Sequence, residues 1–460
     1  MDPIAAIATG NSITAIGIVR VSGEGCFAAC DRVFRPLRGE APLSGREARR
    51  MIYGDLLDRE GRLIDRGLAV RFAAPASYTG EDAVEFNCHG SPVVMREVLS
   101  ALFAAGVRQA GPGEFTRRAF LNGRLDLTQA EAAADLIGAE TPAAARNAAA
   151  QLDGGLRRPL EEVQEALLDV TARFYAVVDY PDEEIEDVRP EDIAAALERS
   201  DEILTRLLAT CKRGKLLKSG VRTAIAGRPN AGKSSLLNAL AGYERAIVTE
   251  VPGTTRDTVE ESVLCGGVLL RLTDTAGIRE TTDPVEKLGV ARARAALESA
   301  DLALAVVDGS EPFTREDGQI LALASRCPRW ILVWSKSDLR PDGAPPIPPQ
   351  SPGRAPDAVL SISSVTGEGL SGLESAVAAL FPAGDGADAG ALLTDARQED
   401  AALRARNAVR RAAEALRSGM TPDAVLTDAE EALGAIGELT GRTAREDIVS
   451  RIFARFCVGK

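Results

Sequence analysis

The stretch Gly227-Arg-Pro-Asn-Ala-Gly-Lys-Ser-Ser235 has the residue types and spacing of a loop that cradles phosphate. Its glycines allow backbone N–H groups to curl around a β-phosphate at a helix N-terminus, where the helix dipole favours an anion. Lys233 would reach the β/γ oxygens and the Ser234 hydroxyl would bind Mg²⁺, with Asn230, Ala231, Gly232 and Ser235 completing the loop. A chance glycine turn is the bland alternative, and the flanks argue against it. A β-rich run, Val221 to Ala226, precedes the loop, and a good helix former, Leu236 to Leu240, follows it.

Three further stretches narrow the ligand. Leu269 to Gly277 ends in D-x-x-G. Within Asp274-Thr275-Ala276-Gly277, Asp274 would hold the Mg²⁺ shell and the Gly277 N–H would sense a γ-phosphate. Gly253-Thr-Thr-Arg-Asp257 lies where a switch threonine would complete that shell, and Thr255 is the choice. Ile331 to Asp338 ends in Ser335-Lys336-Ser337-Asp338, an S-K-S-D in place of N-K-x-D. Asp338 would accept both hydrogens of the guanine N1 and N2 edge, where adenine offers no matching pair of donors. Asparagine would normally bridge base and phosphate loop at position 335; the serine hydroxyl would do part of that. Ser361 to Gly367 resembles a last base-contacting loop. Four motifs in this order point to a GTP hydrolase. After Gly277, where many such enzymes keep a water-orienting glutamine, stands Ile278, which can neither orient water nor take a proton. The nearby carboxylates Glu280, Asp283 and Glu286 are candidates, against their reading as solvated surface.

The elements that must position these groups fall into three kinds of sequence. Residues 1–118 read as α+β: a strand over Ile13 to Val21, a hairpin of Met51–Leu57 and Leu63–Phe72 about Glu60-Gly61, a strand Ala83–Asn87, and a helix from Pro92 stopped by Gly106. From 119 to 216 the period becomes helical. Thr128 to Glu131 has capping-box form. Leu160, Val163, Leu167, Val170, Phe174 and Val177 make an a/d seam that repeats at Ile193, Leu197, Leu204 and Leu207. Residues 217–382 alternate strand and helix as a doubly wound domain does. After a Gly-rich linker the chain is helical again over 383–460, with a helix start at Thr421-Pro422-Asp423 and a capping box at Thr443 to Glu446. The pattern implies one helical domain, 119–216 with 383–460, into which the 217–382 domain is inserted.

Composition excludes several classes. No apolar run approaches the ~20 residues that cross a bilayer, and the N-terminus lacks a basic signal-peptide region. Seven scattered cysteines fit reduced cytosolic thiols, and Cys26-x-x-x-Cys30 reads as packing in a helix. One histidine, His89, rules out a multi-histidine metal site within one chain. A formal net charge of −13 argues against a general nucleic-acid coat, so any RNA contact is local or shared with a partner.

The chain carries other distinctive stretches: Tyr78-Thr-Gly-Glu-Asp82, Pro112-Gly-Glu-Phe-Thr116, Ala119-Phe-Leu-Asn122, Phe174 to Glu184 and the ending Phe456-Cys-Val-Gly-Lys460. With the nucleotide motifs, they make the whole chain resemble the three-domain tRNA-modification GTPases of bacteria and mitochondria, the MnmE or TrmE family. The resemblance implies a multidomain α/β and α fold: an N-terminal folate-binding domain like the aminomethyltransferases, a helical bundle, and an inserted Ras-like P-loop G domain. It implies a cytoplasmic homodimer, joined through the N-terminal domain, that hydrolyses GTP. With an FAD-dependent partner, in a heterotetramer, it would install an aminomethyl-type group on C5 of the wobble uridine of certain tRNAs. A 5-formyl- or methylene-tetrahydrofolate would bind Arg20, Glu85, Arg124 and Lys460; relatives often have lysine at the third position. K⁺ would be held by Asn230, Thr249, Val251 and Thr254, within a GTP-contacting loop that also includes Glu250, Pro252 and Gly253. Glu286 matches the family's water-orienting glutamate. Cys457 is a candidate for catalysis of the tRNA step, with packing as its alternative. His89 is structural or lines the folate pocket, and Arg404, Arg406, Arg410, Arg411 and Arg417 are either a tRNA-facing stripe or a solvated helix face. Two other readings stand beside this one. One is a GTPase acting only as a binding switch, for instance in ribosome assembly; the other is a folate-dependent aminomethyltransferase for which GTP is incidental.

Overall fold

A computed structural model describes all residues except 11, 39–40, 180–188, 244–260, 273–295, 341–352, 383–389, 444–445, 455 and 460. Its residues group into two compact units. Residues 1–134, 152–201 and 404–460 form the first; residues 135–151 and 202–403 form the second.

The first unit is built on a seven-stranded sheet in the order β3-β4-β5-β6-β2-β1-β7. The strands are β1 Ile4–Ile7, β2 Ile16–Ser22, β3 Phe34–Pro36, β4 Ile52–Leu57, β5 Leu63–Phe72, β6 Ala83–His89 and β7 Arg108–Gln109. Every pairing is antiparallel except β1 with β7. The β4–β5 hairpin turns at Gly61, whose φ of 80° suits a residue without Cβ. One sheet face buries Val19, Val21, Val84 and Phe86 against the helices Cys26–Val33 and Pro92–Ala104. Cys26 and Cys30 pack into that core, where burial pushes the Cys26 thiol up to about 12 and raises the Cys30 thiol well above its usual value. Both thiols therefore stay protonated and act as small apolar groups.

The helical seam is as expected where its side chains are described: Leu160, Val163, Leu167 and Val170 are buried on the helix Arg157–Asp179, and Ile193, Leu197, Leu204 and Leu207 on Pro190–Ala209. Arg157–Asp179 packs along the helix Pro422–Thr440. Two caps depart from expectation. Asp126, not Thr128, caps the helix Leu127–Ile137: Asp126 Oδ1 accepts from the Gln129 N–H at 2.8 Å and Gln129 Oε1 accepts from the Asp126 N–H at 3.1 Å. A carboxylate two residues earlier outcompetes the threonine, whose hydroxyl donates to it. The start at Thr421 is as expected, with Thr421 at the cap position, Pro422 after it and Asp423 in the first turn, though the Thr421 side chain makes no cap bond. The Thr443 hydroxyl donates back to the Gly434 carbonyl rather than capping the helix Glu446–Phe453.

The second unit holds a six-stranded sheet, order β13-β12-β11-β8-β10-β9. Its strands are β8 Val221–Ala226, β9 Glu261–Cys265, β10 Val268–Leu272, β11 Leu302–Asp308, β12 Arg329–Ser335 and β13 Ala358–Ser361. All neighbours are parallel except the β9–β10 hairpin. Every residue of β11 is buried, as a central parallel strand covered on both faces requires. β8 has β11 on one side and β10 on the other, so the strand order reverses beside it. The carboxyl ends of the strands at such a reversal are where open α/β sheets hold ligands. Among the described residues no helix is long and apolar enough to cross a membrane.

Candidate functional sites

Each unit presents one site, and each grows from strand geometry. In the second unit, β8 runs into the phosphate loop and then the helix Lys233–Tyr243. Asn230 within the loop has φ 61°, a left-handed conformation that asparagine tolerates. Lys233 Nζ lies folded onto the loop, donating to the Gly227 carbonyl at 2.8 Å and the Arg228 carbonyl at 2.6 Å. Burial lowers its pKa. Among the described residues this largely buried ammonium is held by two neutral carbonyls, and a phosphate chain is the anion that fits there. Arg228 braces the loop from outside through its Nε, 2.8 Å from Asp317 Oδ1; Asp317 is fully buried and also closes a capping box with Thr314. This brace is not legible in any local motif, because it depends on the placement of a helix 89 residues away.

At the end of β12, Ser335 is buried and its Oγ donates to the Ala231 carbonyl at 2.6 Å, with the Val307 carbonyl at 3.1 Å. The serine thus makes the tie to the phosphate loop that asparagine was expected to make. It fits because loop and strand are close: a Cβ on Gly232 would lie 3.3 Å from the Ser335 side chain. Replacing Ser335 by alanine leaves the Ala231 carbonyl without its donor, so GDP affinity should fall roughly tenfold, about 1.4 kcal/mol. Fluorescent-GDP titration checks this, and an unchanged affinity would remove the tie from the account.

Lys336 follows at φ 55°, a strained backbone for lysine, and its Nζ lies 2.6 Å from Asp308 Oδ2. Burial raises the Asp308 carboxyl, but Lys336 and Ser310 outweigh that and hold it below its usual range. Ser337 Oγ is buried with no hydrogen-bond partner among the described residues, and Asp338 is exposed on the short 3₁₀ turn Ser337–Leu339. Among the described residues, two of the three non-glycine residues with positive φ, Asn230 and Lys336, sit in these loops. Strain of that kind collects at ligand sites. The loops 249–255 and 274–277 and Glu286 lie outside the described residues, as do Ile278, Glu280 and Asp283.

In the first unit, strand register assembles the second site. Arg20 on β2 and Glu85 on β6 are directly opposed, and Arg20 Nε lies 2.8 Å from Glu85 Oε1. The Arg20 guanidinium also lies 5.4 Å from the Tyr78 ring centroid and 5.7 Å from that of Phe115. Tyr78 Oη is 3.0 Å from Thr116 Oγ1, and Asn122 Nδ2 donates to the Thr79 carbonyl at 2.7 Å. Gly80 has φ 79°, and a Cβ there would lie 3.1 Å from Asn122 and 3.2 Å from the Arg124 side chain. Beneath them the nearly buried Arg118 bonds Glu81 Oε2 at 3.0 Å, Glu114 Oε1 at 3.0 Å and the Asp2 carbonyl at 2.8 Å. Burial raises the Glu114 carboxyl, yet Arg108, the Gly111 N–H and Arg118 outweigh it and hold it at about 2.

The C-terminal tail docks here too. Val458 bridges to Pro112, the Gly113 N–H faces the Cys457 carbonyl at 3.4 Å, and Phe456 is buried 5.5 Å from the Phe453 ring. Gly459, at φ 110°, passes so close to β1 that a Cβ would sit 2.1 Å from the Ile7 carbonyl oxygen. Arg20, Glu85 and Arg124 are therefore brought to the segments on which the tail docks, with the Cys457 side chain exposed. Lys460 lies outside the described residues. Tyr78, Phe115, Thr116 and Asn122 were visible only as members of short motifs, because their roles come from contacts between those motifs.

Two other groups resolve plainly. His89 is exposed at the end of β6, its Nδ1 2.8 Å from Asp65 Oδ1. The arginine stripe is largely ion-paired: Arg404 with Glu438, Arg410 with Asp201, Arg411 with Asp428 and Glu431, and Arg417 with Glu414. The guanidiniums of Arg404, Arg410 and Arg411 join helices of the bundle, Arg417 pairs within its own helix, and the buried Arg406 Nε has no hydrogen-bond partner among the described residues.

Comparison with known proteins gives the family. The family model described as the GTP-binding protein TrmE N-terminus matches residues 3–124, and that of the MnmE helical domain matches residues 127–457. The tRNA modification GTPase MnmE of Roseiflexus sp. (strain RS-1) is 46% identical, over 100% of this chain and 99% of that protein. Those of Symbiobacterium thermophilum and Chloroflexus aurantiacus are each 45% identical over 100% of this chain and 99% and 100% of their own lengths. The chain belongs to the family of the tRNA modification GTPase MnmE.

Proposed function

We propose that the chain is a potassium-activated GTPase that takes part in modifying C5 of the wobble uridine of certain tRNAs, with an FAD-dependent partner and a tetrahydrofolate one-carbon donor. We further propose its division into an N-terminal folate and dimerisation domain (1–118), a discontinuous helical domain (119–216 and 383–460) and a G domain (217–382). The observation that carries the functional reading is the convergence of Tyr78–Asp82, Pro112–Thr116, Ala119–Asn122 and the C-terminal tail around the Arg20–Glu85 pair. A carboxylate beside a guanidinium, with two aromatic rings and a further cation at Arg124, suits a ligand with a flat hydrogen-bonding ring and an anionic tail. When bound, a reduced folate supplies the one-carbon unit; Glu85 and Arg20 would orient its ring, and Arg124 and Lys460 would meet its charge. In the G domain, Ser234 and Thr255 would hold Mg²⁺, and Asn230 with the loop 249–254 would hold K⁺ and complete the GTP contacts. Glu286 is proposed to orient the attacking water, and Cys457 to act in the tRNA step.

Calorimetric titration with 5-formyl-tetrahydrofolate should show binding by the wild-type chain and loss of at least about tenfold in Arg20→Ala, since charged hydrogen bonds contribute ~1.5–3 kcal/mol each. A wild-type chain that takes no folate would overturn this site. GTP turnover should be faster in potassium than in sodium, because a cation at the β/γ bridge neutralises developing charge. Glu286→Ala should still bind GTP but turn it over about 10²-fold more slowly. Equal rates in the two salts would sink the potassium site; an unaffected variant would move the water-orienting role to Glu280, Asp283 or the backbone.

A further inference from the structure

The first unit contains a cavity of about 520 Å³ that the sites above do not use. That lies within the ~300–1,000 Å³ typical of small-molecule sites. Its walls come from the end of the helix Glu114–Leu121, the turn 123–126, the start of the helix Arg157–Asp179, and the segment from Thr440 to Val449. We propose that this cavity seats one phosphorylated nucleoside of the RNA substrate, its phosphate between Arg117, Arg157 and Arg442 and its base against Phe120 and Leu121. The proposal rests on the tRNA reading above and gives that substrate a place on this chain.

Charge is the first argument. Three guanidiniums from three separate segments line the cavity together with three carboxylates, of which Asp126 accepts from the Gln129 N–H and the Thr128 hydroxyl, Glu161 from Arg157, and Glu446 stands at the rim. Arg157 is tied to its own helix through Glu161 at 2.8 Å. Arg442 is exposed and makes no ion pair or hydrogen bond among the described residues. Among the described residues Arg117 has a buried Nε with no hydrogen-bond partner, and its Nη2 makes a 3.5 Å contact with Glu446, whose side chain is 87% exposed. So long and exposed a pair adds little, and an incoming phosphate can take the place of the carboxylate. The first turn of the Arg157–Asp179 helix carries no acid, so its dipole adds to the positive field.

Shape is the second argument. Leu121 is 55% exposed on the cavity wall beside Phe120, an apolar surface of the kind on which a base rests. Gly441, at φ 90°, lets the 440–442 turn come close: a Cβ there would sit 2.6 Å from the Phe120 ring. The third argument is adjacency. Gly123, Leu125 and Asp126 line the cavity, while Arg124, between them, lies against Gly80 in the Arg20–Glu85 site. One turn thus serves both the one-carbon donor site and the cavity, as a donor–acceptor reaction needs.

The test is binding of a fluorescent anticodon stem-loop RNA to the full chain across a salt series, with uridine 5′-monophosphate, inorganic phosphate and an acidic peptide as competitors. Arg442→Ala should weaken binding several-fold and reduce the log–log salt slope by about one, as loss of one phosphate contact does. Glu446→Gln should tighten binding, because the carboxylate competing for Arg117 is gone; a gain cannot come from misfolding. Uridine monophosphate should compete better than inorganic phosphate. If the wild type binds the RNA and both variants keep its affinity and slope, the cavity proposal fails and the tRNA reading stands. If the wild type binds no RNA, that reading fails with it. Competition by phosphate or by the acidic peptide as strong as that by uridine monophosphate would overturn the nucleoside assignment.

Discussion

Lys233→Ala should reduce GTP affinity at least about 100-fold, roughly 2.7 kcal/mol, and turnover at saturating GTP by on the order of 10³. The structure says why the effect is large. The ammonium is largely buried, its pKa is lowered by that burial, and among the described residues its hydrogen bonds go to two loop carbonyls. A bound phosphate chain would set an opposite charge beside this cation in a site of low dielectric, where the attraction is strongest. Alanine removes the charge and leaves the Gly227 and Arg228 carbonyls without that donor. The same variant separates the functional readings. If GTP is incidental to a folate-dependent aminomethyl transfer, tRNA modification by Lys233→Ala with its partner and folate should continue at the wild-type rate. If hydrolysis is part of the reaction, modification should fall with turnover while 5-formyl-tetrahydrofolate affinity stays unchanged, since the proposed folate site is built from β2, β6 and the tail. Nucleotide titration, phosphate release and a tRNA modification assay on one preparation decide between them.

What could be read in the sequence was whatever a local period or a short spacing encodes. The seam from Leu160 to Val170 is buried because steps of three and four place those residues on one helix face. The loop from Gly227 to Ser235 joins β8 to a helix as its flanks required. Caps were less legible. Thr128 and Asp126 both precede helical sequence, and the choice fell to whichever acceptor could reach the Gln129 N–H. Contacts between distant segments were not legible at all. Nothing in Arg228 announces Asp317, and nothing in Arg117, Arg157 or Arg442 announces one cavity. The ion pairs of Arg404, Arg410 and Arg411 with Glu438, Asp201, Asp428 and Glu431 were likewise not legible, because other segments bring the carboxylates to them. Ser335 lies between these cases. Its position in S-K-S-D marked it as the bridge residue, but only the approach of Gly232 shows why a side chain as short as serine suffices.

Asp338→Asn should exchange guanine for xanthine. Asp338 stands on a 3₁₀ turn fixed at one end by the left-handed backbone of Lys336 and by the Ser337 N–H, which faces the Ile362 carbonyl at 3.3 Å. Its carboxylate offers two acceptors to the two donors on the guanine edge. Asparagine keeps one acceptor and presents an N–H₂ where guanine also presents a donor. One hydrogen bond is then lost and a donor–donor contact replaces it, with guanine's own donor left unpaired on binding. Sites built on such pairing reject the mismatched partner by ~10⁴–10⁵-fold, so a GTP affinity loss of on the order of 10³ is a conservative expectation. Xanthine carries a carbonyl oxygen where guanine carries its amino group, and the asparagine N–H₂ can donate to it. XTP affinity should therefore rise in the variant as GTP affinity falls, while affinity for phosphate-only probes such as pyrophosphate stays the same. A parallel loss for both purines would mean that the substitution has disturbed the turn rather than the pairing. Equal affinity for GTP in wild type and variant would remove Asp338 from base recognition and leave Ser337, with its buried hydroxyl, as the next residue to test.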